Sequence, residues 1–273
     1  MNRYQEVFNT LKKRGEIAFI PFAVAGDPDI ETSRKVLMSY IKGGADILEI
    51  GFPFSDPVAD GPVNQRGAQR AIANGLNYQT FFSMIKGLRQ ETDIPIGLLL
   101  YANSLYYLGY EEFCHQASEA GIDSILVADM PPEESDELRK YLKKYSIGCV
   151  YIISELTPPE RISYICKHID SFVYVVSRLG ATGVDSPVNE SIGELISRIK
   201  KYTDKPLAVG FGISRPEHVE KIVESGADGA IVGSALVKII ESASGEGTDP
   251  SFDLQTQVRA FKNATKPVAL RNQ

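Results

Sequence analysis

Hydrophobic residues along the chain gather into short unbroken blocks, and longer stretches of helical period separate them. Such blocks lie at Ile17 to Val24, Ile96 to Tyr101, Ile147 to Ile152, Phe172 to Val176 and Pro206 to Val209. Apolar runs of this length read as strands buried on both faces, as in a parallel sheet. Three further strands are marked by recurring text: G-G-A-D-I-L-E-I from Gly43, A-G-I-D-S-I-L-V from Ala120 and S-G-A-D-G-A-I-V from Ser225. Each copy follows an amphipathic segment. In each, a Gly able to end a helix in the left-handed conformation precedes an Asp by two residues, and an apolar strand begins almost at once.

Helical patterns fill the gaps, at Ile30 to Lys42, Tyr78 to Glu91, Glu111 to Ala120, Pro132 to Tyr145, Pro158 to Lys167, Asn189 to Lys201 and Pro216 to Ser225. Several start with Pro or with an acidic first turn, as helix starts prefer. Eight strands alternating with helices over about 250 residues is the proportion of a TIM (β/α)8 barrel, an α/β fold closed by right-handed crossovers. An open doubly wound sheet is the competing arrangement, and its G-x-G-x-x-G turn is missing. The expectation is a single TIM-barrel domain over residues 1–273, with Met1 to Arg14 as an extra N-terminal helix across the barrel's bottom. Asp253 to Lys262 would be the last outer helix, Ser242 to Ser251 a flexible connection, and residues 268–273 a disordered tail.

Composition narrows the function. Hydrophobic residues are 43% and charged residues 23% of the 273, ordinary for a globular protein, and no apolar run approaches the roughly 20 residues that span a bilayer. The N-terminus mixes charged and apolar residues where a signal peptide would have an apolar core, so the expected location is the cytoplasm. A net charge of -6 and the shortness of basic runs argue against nucleic acid. Cys114, Cys149 and Cys166 lack disulfide or zinc spacing and read as small buried residues. His115, His168 and His218 stand apart from one another, so no metal site is expected.

The richest chemistry lies in A-D-I-L-E-I-G-F-P-F-S-D-P-V-A-D-G-P, from Ala45 to Pro62. Strand alternation puts Ile47 and Glu49 on one face, so Glu49 can point into the barrel mouth, where strand ends and following loops form the active face. By position alone, a structural Glu bonded to backbone and a catalytic one are equally supported. Asp56 and Asp60 precede Pro and Gly, which is ordinary turn chemistry. Pairing with Glu49 raises Asp60, because two carboxylates in different surroundings can hold different protonation states. Three glycine turns follow late strands: L-G-A-T-G-V from Leu179, G-F-G-I-S from Gly210 and V-G-S-A from Val232. With a short helix starting near Ser234 they suit an anion such as phosphate. Phe22, Leu99, Tyr101, Leu126, Ala128, Ile152 and Tyr174 supply apolar and aromatic material for the core and for a flat ligand.

The motif L-E-I-G-F-P-F-S-D-P-V-A-D-G-P, together with P-F-A-V-A-G-D-P, L-V-A-D-M-P, Y-V-V-S-R-L-G-A-T-G and G-F-G-I-S in this order, resembles the tryptophan synthase alpha subunit family from about Tyr4 to Phe261. The resemblance implies a TIM barrel that cleaves indole-3-glycerol phosphate to indole and glyceraldehyde 3-phosphate without a cofactor of its own. It implies Glu49 as acid and base, Asp60 beside the indole nitrogen and Tyr174 as a neighbour shaping the site. It further implies phosphate binding by Gly183, Gly212, Gly233 and Ser234, and an indole pocket of Phe22, Leu99, Leu126, Ala128, Ile152 and Thr182. Pro53, Asp56 and Pro57 would face a beta subunit that carries pyridoxal phosphate, in an alpha2-beta2 heterotetramer. A general acid in an apolar mouth should have a raised pKa, which is expected of Glu49.

Leu179 and Ala181 in the loop after strand 6, and Ala23-Val24-Ala25 after strand 1, depart from the family's wording but spare the carboxylates. Other phosphate-binding barrels compete. An indole-glycerol-phosphate synthase needs a Lys at a strand end and a pentose-phosphate epimerase needs metal-binding His, and neither is evident. A subunit that only activates its partner is the remaining alternative, and the intact Glu49 and Asp60 speak against it.

Overall fold

The computed structural model describes residues 3–176, 188–210 and 212–267. Its strands are β1 (Ala18–Val24), β2 (Leu48–Gly51), β3 (Ile96–Leu100), β4 (Ser124–Val127), β5 (Gly148–Val150), β6 (Ile152–Ser154), β7 (Val173–Val176), β8 (Leu207–Gly210) and β9 (Gly229–Val232). They form one parallel sheet in the order β5-β4-β3-β2-β1-β9-β8-β7-β6. The two outermost segments, β5 and β6, are separated in the chain by Tyr151 alone. The Tyr151 carbonyl still accepts from the Tyr174 amide at 3.1 Å. The strand expected over Ile147 to Ile152 is therefore bent at Tyr151 and pairs with β4 before the bend and with β7 after it. That bend closes the eight-stranded barrel.

Helices wrap the outside: α1 (Arg3–Arg14), α2 (Ile30–Gly43), α3 (Pro62–Ala73), α4 (Tyr78–Arg89), α5 (Ala102–Leu108), α6 (Tyr110–Ala120), α7 (Asp136–Lys144), α8 (Pro159–Cys166), α9 (Val188–Lys200), α10 (Pro216–Glu224), α11 (Ser234–Glu246) and α12 (Ser251–Ala264). Three sequence expectations change. Ser242 to Glu246 is the last part of α11, not a flexible connection, and the chain turns only at Gly247, whose φ of 68° is left-handed. The helix expected over Pro132 to Tyr145 opens as a 3-10 turn, Pro132–Glu134, and restarts after Ser135. Helices α3 and α5 were not anticipated, because each begins directly from an active-face loop and α5 is only seven residues long.

The recurring Gly-x-Asp text has a structural explanation. Gly44, Gly121 and Gly226 all sit at left-handed φ after a helix. The Asp two residues on then accepts from a backbone amide at the base of the preceding strand: Asp46 from Phe19 at 2.8 Å, Asp123 from Ile96 at 2.8 Å, Asp228 from Leu207 at 3.0 Å. Asp170 makes the same bond to Cys149 at 3.2 Å without the glycine, so this fourth joint escaped the text comparison. Each carboxylate satisfies a buried donor that the ladder leaves open. Cations cover the acids, Lys262 on Asp46 and Arg3 with Arg89 on Asp123.

Alternation along the strands divides the apolar residues into two cores. Phe19, Leu48, Ile50, Leu98, Ile125 and Val209 pack outward against the helices, whereas Ile20, Ile47, Leu126, Val150, Ala208 and Ile231 fill the barrel. Tyr4, Phe8 and Leu11 of α1 enter the inner core from below, with the Tyr4 ring 5.5 Å from that of Phe172. The N-terminal helix thus plugs the bottom, as its amphipathic pattern predicts. Cys114, Cys149 and Cys166 are all buried thiols. Among the described residues no helix is long and apolar enough to cross a membrane.

Helix α3 is tied down by charge. Arg70 grips the fully buried Asp27 carboxylate with two bonds of 2.7 and 2.9 Å and reaches Glu241 of α11 at 2.9 Å. Arg66 adds 2.6 and 2.8 Å bonds to the same Glu241. Burial pushes the Asp27 pKa up, and the Arg70 contacts oppose that shift. Removing the cation would strand a buried carboxylate, so Arg70→Met should cost about 3–5 kcal/mol of folding stability. Urea unfolding of the variant beside the parent measures this, and a loss below about 1 kcal/mol would contradict the assigned role.

Candidate active site

Strand ends and their following loops enclose a cavity of about 590 Å³ at the top of the barrel, within the range of small-molecule sites. Phe22, Glu49, Asp60, Leu99, Ala128, Ile152, Tyr174, Gly212, Gly233 and Ser234 all line it. Leu126 lies one layer lower, 3% exposed, in the inner core. It lines a separate space of about 10 Å³ beneath Glu49. Thr182 and Gly183, with Leu179 and Ala181, fall outside the described residues. Pro53, Asp56 and Pro57 lie on the loop after β2 and do not line the cavity; Pro53 is buried, and Asp56 is exposed and accepts from the Ser55 hydroxyl.

Glu49 stands near the upper end of β2, paired in register with Phe22 on one side and Gly97 on the other. The side chain shares the inner face with Ile47 and is 5% exposed. Among the described residues no side chain or backbone amide hydrogen-bonds to it. A structural carboxylate in this position would need such bonds, since burial of an unpaired charge is costly. Burial, and then the neighbouring Asp60 charge, push its pKa up to about 8. The balance between the structural and catalytic readings shifts accordingly, because the group keeps its proton at neutral pH and meets only the cavity.

Asp60 has different company. Its Oδ2 accepts from the Tyr101 hydroxyl at 2.8 Å and its Oδ1 from Asn64 Nδ2 at 3.4 Å. The Tyr101 oxygen in turn accepts from the Ala59 amide at 3.1 Å. Burial raises the Asp60 pKa above the ordinary carboxyl range, and the Tyr101 and Asn64 bonds offset only part of that rise. Tyr101 was visible in the sequence only as aromatic material at a strand end. Its hydrogen bond to a loop carboxylate 41 positions away leaves no local signal. Asn64, Val63 and Ile213 were likewise missed as cavity residues.

Tyr174 of β7 faces Glu49 and Asp60, and burial followed by those two charges raises its pKa well above the usual phenol value. It therefore stays a neutral hydroxyl. Gly210 makes room for it: a Cβ there would lie 2.6 Å from the Tyr174 oxygen. After the adjacent strand β9, Gly233 and Ser234 form the N-terminus of the 13-residue α11, with no side chain capping it. Gly212 adopts a left-handed φ of 75° beside them. Free amides and the positive end of a helix dipole favour an anion at this wall. Among the described residues no group of three or more His, Cys, Asp or Glu could hold a metal ion.

The sequence matches the family model described as tryptophan synthase alpha chain over residues 8–266. It is 45% identical to the tryptophan synthase alpha chain of Methanoregula boonei over 266 residues, covering 97% of this chain and 99% of the relative. Identity to the Arabidopsis thaliana alpha chain is 44%, covering 92% and 90% of the two chains. The fold superposes on the crystal structure of tryptophan synthase subunit alpha from Legionella pneumophila with a TM-score of 0.89 at 33% identity, covering 97% of this chain and 98% of that one.

A Glu49 pKa raised to about 8 has a consequence for stability. The folded state binds a proton that the unfolded chain releases near pH 4.5, so the contribution is fully present below that pH. It is lost as pH rises to about 8 and is constant beyond. Relative to the parent, Glu49→Gln should therefore gain stability progressively between about pH 5 and pH 8, by on the order of 4 kcal/mol in total. Chemical denaturation at several pH values tests it; a parent-variant difference that does not change with pH would exclude a raised pKa.

Proposed function

The chain belongs to the tryptophan synthase alpha chain family, and we propose that Glu49 and Asp60 carry the family's reaction here. As such a chain it is a lyase that cleaves indole-3-glycerol phosphate to indole and glyceraldehyde 3-phosphate by a retro-aldol step. The observation that supports the site assignment is the contrast between two carboxylates in one cavity: Glu49 is buried and accepts no hydrogen bond from the described residues, with its pKa pushed up to about 8, while Asp60 accepts from Tyr101 and Asn64.

Cleavage needs the ring carbon that bears the glycerol chain to leave as neutral indole, so that carbon must first gain a proton. Protonated Glu49 supplies it, and the positive charge that develops falls on the ring N–H, whose hydrogen Asp60 accepts. Glu49, now a carboxylate, takes the proton from the hydroxyl on the adjacent chain carbon. The carbon-carbon bond breaks, its electrons restore the aromatic ring, and the former alcohol carbon becomes the aldehyde. Glu49 ends protonated, ready for the next turnover. Tyr174, neutral and wedged beside both carboxylates, shapes the floor.

In this reading Phe22, Leu99, Ala128 and Ile152 hold the flat ring, the family resemblance adds Thr182, and Leu126 backs the pocket from the layer below. The phosphate sits on Gly212, Gly233 and Ser234 at the start of α11, with Gly183 completing the cradle. The chain uses no cofactor of its own, works in the cytoplasm, and delivers indole to a beta subunit carrying pyridoxal phosphate. The active face suits such a partner. Val58 in the loop after β2, Tyr106 and Tyr107 on α5, and Leu156 after β6 are exposed at 83%, 62%, 78% and 74%. Pro53, Asp56 and Pro57 lie on the first of these loops. A stable pair would bury this apolar material.

Indole release from indole-3-glycerol phosphate should fall at least about a hundredfold in Glu49→Gln and in Asp60→Asn. The parent's rate should fall as pH rises through about 8, where Glu49 loses its proton. Retention of more than a tenth of the activity in Glu49→Gln would remove it from the acid role. Mixed with a beta subunit, the chain should sediment as a particle containing two copies of each and release indole faster. A mixture that stays as separate species would overturn the assembly.

A further inference from the structure

Asn64 is hard to account for by stability. It is the third residue of α3, on the cavity wall between Val63 and the Asp60 loop. Its Oδ1 is buried and has no hydrogen-bond partner among the described residues, a cost that a Leu at the same place would avoid. What the amide does make is the bond from Nδ2 to Asp60 Oδ1, 3.4 Å long in the unliganded pocket. Tyr101 occupies the other oxygen of the same carboxylate at 2.8 Å. Asp60 lies just before the N-cap of α3, close to Asn64 in the helix's first turn, and the Gln65 side chain fixes the turn between them by donating to the Asp60 carbonyl at 2.9 Å.

We propose that Asn64 is a positioning residue that, with Tyr101, clamps both oxygens of Asp60, aiming the carboxylate at the ring N–H and holding it ionised. This rests on the indole-glycerol-phosphate reading above. The groups facing Asp60 are Glu49 from β2, Tyr101 from the end of β3 and Tyr174 from β7, with Asp129 after β4 acting on Tyr101. Glu49 and Tyr174 are neutral at pH 7, so the two clamping donors are what oppose burial of the Asp60 charge. A residue kept only to fill space would show no link to that charge.

The test is Asn64→Leu, with Asn64→Ser as a second variant should the first fold poorly. Carboxyl NMR titration of Asp60 in the unliganded protein should show a higher pKa in the variant, while thermal melting occurs no lower than in the parent. In indole release, kcat should drop about tenfold with little change in KM, the acid-side limb of the pH profile should move to higher pH, and the substitution should add nothing in an Asp60→Asn background. An unmoved Asp60 titration and acid limb would overturn the clamp, as would a rise in KM alone, which marks a pocket wall. Failure of the parent itself to release indole would sink the proposed reaction, and the NMR titration would still decide whether Asn64 governs Asp60.

Discussion

Closing a parallel sheet on itself creates one enclosed interior, and the placement of a carboxylate at its upper end is the constraint on which the site depends. Glu49 sits where the apolar filling of the barrel gives way to the cavity. Below it the packed barrel leaves a space of about 10 Å³, and among the described residues no donor replaces bulk water from the sides. The ionised form is therefore disfavoured, and its affinity for a proton rises from the range of an ordinary carboxyl group to that of a weak acid near neutrality. Remove the closure at Tyr151, or the plug formed by Tyr4 and Phe8, and solvent would reach the interior and the raised pKa would relax.

That interior is held in shape from the other end. The aspartates at the helix-to-strand joints bind amides at the bases of the neighbouring strands, and lysines and arginines cover them from outside. The lower rim is thus fixed by short joints whose charges are paired. The upper rim, with longer loops, is left to carry chemistry, a separation seen generally in this architecture.

Asp60 shows how a loop residue acquires a defined chemistry. Its loop is anchored through α3, whose Arg66 and Arg70 fasten the helix to α11 and to the buried Asp27. The carboxylate is then oriented by Tyr101 and Asn64. Two acids in one cavity are given different surroundings by the presence or absence of donors rather than by any difference in residue type. Among the described residues Glu49 has none, and its pKa rises to about 8; Asp60 has two that offset part of the rise caused by burial.

The eight strands, the barrel, the plug by α1 and the two carboxylates were legible in the amino-acid sequence, because each of these is written in local periodicity or contiguous text, whereas helices α3 and α5 were not. Gly-x-Asp joints and the stretch from Ala45 to Pro62 could be read without knowing what lay opposite. Tertiary structure alone decided the rest. The break of the fifth strand at Tyr151 depends on pairing with different neighbours on its two sides. The helical state of Ser242 to Glu246 depends on Ala243 packing inward, against the local preference of Ser and Gly. Whether Glu49 was structural or catalytic could not be told from its position in a strand. The proposed acid role rests on the lack of a donor to it among the described residues, and hydrogen-bond partners and desolvation are set by residues distant in the chain.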